Sequence, residues 1–417
     1  MGDDTSIAVF ERSSSLRKIG GQVGLFAPAF QAINCLDPSG DLNRAVVDAG
    51  VQRTMFRLLD MEDNVVSETP EEKTKDMVAI PWFKLQRVLL DAFKIQAASM
   101  TCNNDDDHDH NDDDDDAILF HLGHELETLD EQNNNEDVLL SFRNGHQYRA
   151  TIVVGADGNL SRVRSTLFEE EDTVPEYSGS CVWRMFLSGE YDGINAGECN
   201  VWTGDGKVLT VQKMGSGDDC RLYVSGLAGW PKDQLNVLDR KRYIGSEDGE
   251  DSGGSTNNED RIERFLKTFE DFPPKLLDFV EQFHDTASIL EHPVYFRPVG
   301  REWGKGRVTL VGDAAHMIPP NMAMGTPLAF EDSVSLAHSI RTHGLSSKAL
   351  RAYEKERQPR VNQIAYKTIK NAGSYYTDKD DDANPFKFND DDKAFYESLT
   401  NFKQEPIPTS TGTVSNN

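Results

Sequence analysis

The chain has 417 residues, enough for two domains, and a formal net charge of −28. Nine aspartates between Asp105 and Asp116 supply about a third of that charge. Such a balance argues against nucleic-acid backbones and anionic membrane surfaces as partners. The apolar share of 37% is low for a globular protein, but the shortfall is local. It falls on polar tracts near 101–116, 245–260 and 378–392. The five cysteines, Cys35, Cys102, Cys181, Cys199 and Cys220, are an odd number without CxxC spacing, which reads as reduced thiols in a reducing compartment. No run of about eighteen apolar residues marks a membrane span, and no targeting segment is readable.

In chain order, Ile7-Ala-Val-Phe-Glu11 predicts a strand closed by a carboxylate. Residues 19–24 are glycine-dense, and Phe26 to Leu36 has a helical pattern. Leu85, Val88, Leu89 and Phe93 share one helical face. Residues 101–116 read as a solvated acidic insertion, and His108-Asp-His110 inside it as part of that loop rather than a metal site. Strands are predicted at Ala117–Leu122, Asp137–Phe142 and Gln147–Val154, the last two joined by an Asn144-Gly145 hairpin turn. Val153-Val-Gly-Ala-Asp-Gly158 then leads from a buried strand into a helix expected near Asn159. Taken alone, this segment reads as an ordinary capped strand-to-helix turn.

Ser180–Ser188, Cys199–Thr203, Lys207–Lys213 and Arg221–Leu227 predict an antiparallel sheet that forms a separate substrate-side domain. Of Trp183, Trp202 and Trp230, core packing is the expected role of at least two and pocket lining the alternative, and the sheet face around Trp183, Trp202 and Val211 points to an apolar aromatic or polyene ligand. Residues 245–260 read as a second soluble loop. Helices follow at Arg261–Phe269 and Lys275–Phe283, split by Phe272-Pro-Pro274.

Arg307 to Val311 is a short strand rich in β-branched residues. It ends on Gly312-Asp313-Ala314-Ala315, and after a Pro- and Gly-bearing loop a helix is expected near Pro327. Tight backbone, one carboxylate and a fresh helix N-terminus suit a polyol-phosphate ligand. Leu328–Ile340 and Ser347–Ile369 are long helical patterns. Beyond Tyr376 the composition predicts a disordered acidic tail.

Three stretches, taken together, resemble the single-component FAD-dependent aromatic-hydroxylase type of monooxygenase, the class A group that includes salicylate hydroxylases and zeaxanthin epoxidases. They are Val9-Phe-Glu-Arg12, Gly155-Ala-Asp-Gly-x-x-Ser-x-Val-Arg164 and Gly312-Asp-Ala-Ala-His-x-x-x-Pro320. Tyr177-Ser-Gly179, Trp303-Gly-x-Gly-Arg-Val-Thr-Leu310, Glu331-Asp332 and Tyr353-Glu-x-x-Arg-x-Pro-Arg360 follow the same family order. The resemblance covers nearly the whole chain to about residue 370.

It implies an α/β fold, with a doubly wound, Rossmann-like FAD-binding domain and an antiparallel β-sheet substrate domain. Residues 1–175 and 296–372 would form the FAD-binding domain, residues 176–295 the substrate domain, and 376–417 the tail. By the same resemblance Glu11 and Arg12 would meet the adenosine ribose, and Gly312, Asp313 and Ala314 the ribityl and pyrophosphate region. Pro320, Gly325 and Thr326 would border the flavin ring. Gln86 joins the cofactor set, and Asp157-Gly158 would serve FAD and NAD(P)H. The implied reaction oxidises NAD(P)H and transfers one atom of O2 to a small apolar substrate. Most of its hard chemistry belongs to the flavin, so no protein catalytic residue and no metal ligand is assigned. His316 reads as structural.

The departures from the family pattern are specific. Its first strand and GxGxxG loop are missing, although the chain opens where the second strand should be. Ala323 and Met324 replace a Gly and a Gln of a common Pro-x-x-Gly-Gln-Gly motif. Trp82 stands where relatives often carry Arg, and the DxxP-like turn has become Tyr295-Phe-Arg-Pro298. A non-catalytic remnant, and a same-fold reductase or halogenase, are the alternative readings.

Overall fold

Alternating apolar runs and amphipathic helices give a mixed α/β architecture in this computed structural model. Residues 6–16, 18, 20–74, 76–101, 118–131, 137–189, 191, 193–215, 221–235, 258–286, 289–377, 395, 398–399, 402 and 404–407 are described. The acidic insertion with His108 and His110, Cys102, Cys220, most of the 245–260 loop and residues 378–394 lie outside them.

The amino-terminal run holds β1 (Ile7–Phe10), β2 (Gln22–Leu25), α1 (Ala27–Leu36), α2 (Asp41–Ala49), β3 (Val51–Gln52), β4 (Met55–Leu59), β5 (Val65–Pro70), α3 (Glu71–Thr74), β6 (Val78–Pro81) and α4 (Trp82–Thr101). Next come β7 (Ile118–His121), β8 (Leu126–Glu131), β9 (Val138–Phe142), β10 (Gln147–Ala150), β11 (Val153–Gly155), α5 (Arg162–Leu167) and α6 (Glu170–Thr173). The middle of the chain supplies β12 (Glu176–Leu187), β13 (Glu198–Gly204), β14 (Lys207–Met214), β15 (Arg221–Gly229), α7 (Asn258–Thr268) and α8 (Pro274–Phe283). The last run is β16 (Leu290–Phe296), β17 (Gly304–Lys305), β18 (Val308–Leu310), α9 (Asp313–His316), α10 (Gly325–His343) and α11 (Ser347–Thr377).

One seven-stranded sheet, in the order β16-β12-β15-β14-β13-β4-β5, dominates the molecule. Its four central strands are those expected from the 180–228 pattern. Its far edge comes from residues 55–70, expected in the cofactor-binding part: β4 runs parallel to β13, with Met55 opposite Glu198. Alternation along the strands sorts their side chains onto two faces. Trp183, Met185, Trp202, Leu209, Val211 and Val224 pack against Phe265, Phe269, Leu276 and Phe279 of α7 and α8. Trp183 and Trp202 are therefore core residues, as expected of at least two of the tryptophans, and Val211 joins them there instead of lining a pocket, at 0%, 3% and 0% exposure. Two amphipathic helices must bury their apolar stripes somewhere, and they bury them on this face.

The second unit contains two parallel pairs. β1 pairs with β7, Ile7 opposite Ile118, and β11 pairs with β18, Val153 opposite Val308. Among the described residues no strand joins the two pairs. The β8–β10 meander lies over β1 through Phe10, whose ring sits 4.6 Å from Phe142. Helices α10 and α11 close the core around Leu310, Ala314, Leu328, Tyr353 and Val361. A third cluster binds α1 and β6 to α10 through Ala29, Ile33, Ile80, Phe330 and Val334.

Three boundaries differ from expectation. Asn258, Glu259 and Asp260 open α7 instead of ending a loop, as acidic residues do in a first helical turn. The helix expected at Asn159 begins after Ser161, which caps it. The described part of the expected tail is docked: Phe395 and Leu399 are 8% and 1% exposed. Arg360 also donates to the carbonyls of Ser398 and Leu399.

Candidate FAD-binding site

The two motif stretches leave neighbouring parallel strands at the same end. The Val311 amide donates to the Gly155 carbonyl at 3.0 Å, which ties the turn after β18 to the turn after β11. Gly155 is required there by contact, because a Cβ would lie 2.7 Å from Leu310 Cδ2 and 2.8 Å from Val163 Cβ. Gly312 is required by backbone conformation, at φ +56° and ψ −141°. Its amide donates to Asp332 Oδ2 at 3.0 Å, so the turn is pinned from α10.

Asp313 follows at the start of α9. Its side chain is open to solvent, yet it is so closely surrounded by protein that burial raises its carboxyl above the ordinary range, opposed by His316 and Arg297. An open side chain inside dense surroundings describes the floor of a cleft. Across that floor stands Gly325, whose position would bring a Cβ to 4.0 Å from Asp313 Oδ1. Thr326 is half-buried on the first turn of α10, and Pro320 is exposed at the start of the Pro320–Met322 turn. Ala314 is fully buried and offers this region only its backbone.

Asp157 does the cap work that the bland reading of its segment expects. Its Oδ1 accepts from Ser161 Oγ at 2.5 Å and its Oδ2 from the Val163 amide at 2.9 Å, fixing the start of α5. Gly158, half-buried at φ +77°, continues the turn. Glu11 ends β1 half-buried, with Oε1 taken by the Ser13 amide at 2.8 Å. Arg12 is exposed and Gln86 half-buried on α4. Trp82 is also exposed, lying against Gly20.

Two arginines without an expected role hold this region together. Arg164 is fully buried and donates to the carbonyls of Ala314 at 2.8 Å and of Glu302 and Ala315 at 3.1 Å. Arg297 donates to the carbonyls of Thr173 at 2.7 Å and Asn159 at 2.6 Å, while its amide donates to Met317 O. Burial lowers both guanidinium groups to about 10, Arg164 also through repulsion from Arg297. Arg297 is held up by Asp313 and Asp157, so it is the cation shared by the two motif carboxylates. The signal was present in Ser-x-Val-Arg164 and Tyr295-Phe-Arg-Pro298, as cations beside otherwise apolar stretches.

Behind the turn lies a buried charge network. Asp332 accepts from His316 Nε2 at 2.5 Å and from Arg357 Nε at 2.9 Å. Glu331 pairs with Arg357 at 2.9 Å and with both nitrogens of the Arg360 fork at 2.8 Å. The expected structural role of His316 fits this position, where its ring also lies 5.2 Å from Trp303. The Glu331-Asp332 and Tyr353–Arg360 stretches thus form one device that fixes α10 and α11 under the Gly312 turn.

The residues present fit FAD at its ribityl and ring end, where an open carboxylate faces a glycine across a cleft floor. They also offer a half-buried carboxylate at the end of β1 for a ribose. No glycine-rich dinucleotide loop of the GxGxxG form occurs in the sequence.

Comparison with known proteins identifies the domain and the fold. Residues 284–368 match the family model of an FAD binding domain. The chain is 31% identical over 252 residues to the chloroplastic zeaxanthin epoxidase of Nicotiana plumbaginifolia, covering 58% of this chain and 34% of that protein. It therefore spans about a third of the length of such relatives. It is 24% identical over 367 residues to the 3-hydroxybenzoate 6-hydroxylase of Klebsiella oxytoca, covering 87% and 81% of the two chains. Among solved structures, HpxO of Klebsiella pneumoniae, complexed with FAD and uric acid, superposes with a TM-score of 0.69 at 16% identity, covering 95% and 92%. The chain has the fold of that FAD-complexed structure, and its residues 284–368 match an FAD binding domain.

Proposed function

We propose that the chain is an FAD-dependent monooxygenase that uses NAD(P)H and O2 to hydroxylate or epoxidise a small molecule. The observation that carries this reading is Asp313 on the open cleft floor, opposite Gly325 and beside Arg297. Relatives named as an epoxidase and a hydroxylase support it.

Asp313, Gly312, Gly325, Thr326 and Pro320 would hold the ribityl and ring end of FAD, and Glu11 the adenosine ribose. When bound, FAD supplies the electron transfer and oxygen activation that no amino-acid side chain offers. The chain's own residues do three things. Asp313 accepts hydrogen bonds from ligand hydroxyls. Arg164 and Arg297 fix the loops that shape the cleft by gripping their carbonyls. The large sheet presents its other face toward β2 and β6, where a substrate is oriented away from water.

The test is to mix purified protein with FAD, NAD(P)H and a panel of small aromatic and polyene substrates under labelled O2, with Asp313→Ala beside it. Co-eluting flavin absorbance, NAD(P)H oxidation and label in the product are expected, with FAD affinity at least tenfold weaker in the variant. Protein that retains no flavin supports the non-catalytic remnant. Flavin reduction without oxygen incorporation supports a reductase or halogenase.

A further inference from the structure

The carboxy-terminal segment is seated on the charge network that fixes the Gly312 turn. Residues 395, 398–399, 402 and 404–407 of it are described. Phe395 and Leu399 are buried in the core cluster that holds Leu328, Tyr353, Val361 and Ile364 of α10 and α11. Phe402, half-buried, packs with the cluster that joins α1 and β6 to α10. Polar contacts continue the path. The Gln404 side-chain amide donates to Ser335 Oγ at 3.3 Å and also reaches Glu356. His338 Nε2 donates to the Glu405 carbonyl at 2.6 Å. On α1, the Cys35 thiol donates to the Gln404 carbonyl at 3.3 Å, and the Ile407 amide donates to the Cys35 carbonyl at 2.8 Å. The segment thus ties α11, α10 and α1 together from outside.

Two arginines face both ways. Arg360 grips Glu331 with Nε and Nη2, each at 2.8 Å, and the same Nη2 donates to the Leu399 carbonyl at 2.8 Å. The guanidinium carbon of Arg357 lies 5.7 Å from the centre of the Phe402 ring, within cation–π range. Arg357 in turn binds Glu331 and Asp332, each at 2.9 Å, and both carboxylates are fully buried. Asp332 accepts the Gly312 amide at 3.0 Å, directly before Asp313 on the cleft floor. Two side chains, Arg357 and Asp332, therefore separate the Phe402 ring from the Gly312 backbone. Lifting the segment admits water to the outer side of Arg357 and Arg360. Ion pairs that are strong in a dry interior weaken when water reaches them, and the hold on the Gly312 turn weakens with them. A terminal segment anchored by three apolar side chains is also a natural unit of local opening.

We propose that residues 395–407 are a strap whose seating on α1, α10 and α11 is coupled to the cofactor cleft through Arg357, Arg360, Glu331 and Asp332. The seated strap orders the Gly312–Asp313 turn and strengthens FAD binding. By reciprocity, bound FAD holds the strap down. The bistable element is the strap itself, seated or released, and both ends of the network bias it. The FAD half of this inference rests on the monooxygenase reading above; the coupling of strap to turn does not.

The experiment compares the full chain with a Leu399→Ala/Phe402→Ala variant, which frees the strap, and with Phe402→Tyr, which keeps a ring over Arg357. Three quantities are read: hydrogen exchange of the 308–317 amides without FAD, FAD affinity by flavin fluorescence, and the rate of tryptic cleavage between residues 377 and 395 with and without FAD. In the double variant, exchange at 308–317 should be about tenfold faster and FAD binding about tenfold weaker, a common size for coupling between two sites. Exchange in β13–β15 should not change, and Phe402→Tyr should behave as the parent chain. Saturating FAD should slow cleavage of the parent chain by a similar factor. Exchange at 308–317 that ignores the double substitution, or that rises no more than exchange in β13–β15, overturns the inference. So does FAD that binds both proteins equally or leaves cleavage unchanged. Protein that takes up no FAD in any form sinks the monooxygenase reading, and the exchange measurement then decides alone whether the strap orders the turn.

Discussion

Asp332 is the place where a small change tests the most structure. The side chain is fully buried and every neighbour that it binds is a donor: the Gly312 amide, His316 Nε2 and Arg357 Nε. Asp332→Asn keeps the shape but replaces one acceptor oxygen with an NH2 group, so a donor must face a donor. The charge also matters. Against the cost of burial, His316 foremost and then Arg357 and the Gly312 amide pull the carboxyl down to about 2 from 3.8. That depression corresponds to about 2 kcal/mol of native-state stabilisation. A buried donor left unmatched costs about 1–3 kcal/mol more. Because the two contributions overlap, the expected loss is about 3 kcal/mol at pH 7, within the range for breaking a buried ion pair.

The sign of the pH dependence follows from the depressed pKa. The carboxylate's contribution is fully present above the unfolded value near 4 and is lost as pH falls through the folded value near 2. It should be about halved near pH 3. Urea unfolding of both proteins from pH 7 to pH 3 measures this directly. The gap between them should be constant above pH 5 and narrow below pH 4. A loss under 1 kcal/mol, or a gap that widens on acidification, would refute the reasoning.

Other outcomes are equally specific. Ala323 occupies the left-handed region at φ +51° and ψ +24°, which costs an L-residue about 1–2 kcal/mol. Glycine adds about 0.4–1 kcal/mol of unfolded-state entropy, so Ala323→Gly should stabilise the protein by about 0.5–1 kcal/mol in thermal melts; a lower melting temperature would count against the turn. Leu399 is 1% exposed against the second core. Leu399→Ala should cost about 2–3 kcal/mol and speed proteolytic trimming after residue 377, whereas unchanged trimming would mean that the segment does not dock. Cys181 is buried and its thiol is pushed well up, chiefly by desolvation. It should resist iodoacetamide in native protein at pH 7.5 and react only in urea, as read by peptide mass mapping.

Much of this architecture was legible because it is local. Period-two runs gave the central strands of the large sheet, and the turn signals around Asn144-Gly145 gave the β9–β10 hairpin. Glu11, Asp313 and Gly325 were readable as a motif set, and the structure brings Asp313 and Gly325 to one cleft. What was missed is non-local. Nothing in Met55–Leu59 announces a partner at residues 198–202, because strand pairing is decided by packing distant in sequence. Alternation showed that Trp183 and Val211 belong to faces, but it does not say which face meets helices. The stripes of α7 and α8 decide that. Phe395, Leu399 and Phe402 are spaced to present one side, yet their acidic surroundings averaged the signal away. Arg164 and Arg297 look like surface cations until the carbonyls that they grip are known.

Those carbonyls also bear on how the cleft would take a ligand. Its walls come from two distant stretches, at residues 155–164 and at 297–326, and a cleft built in that way could close when empty. Here the loops are tied by charge-assisted bonds from Arg164 and Arg297 to backbone oxygens, each worth about 1.5–3 kcal/mol. Backbone oxygens do not titrate, and guanidinium groups near 10 remain charged at neutral pH. The Asp332 network adds a second tie from beneath, through the Gly312 amide. Both sets of ties are made within the protein, so the floor around Asp313 does not need the ligand to define it. Binding energy is then spent on contacts rather than on ordering the wall.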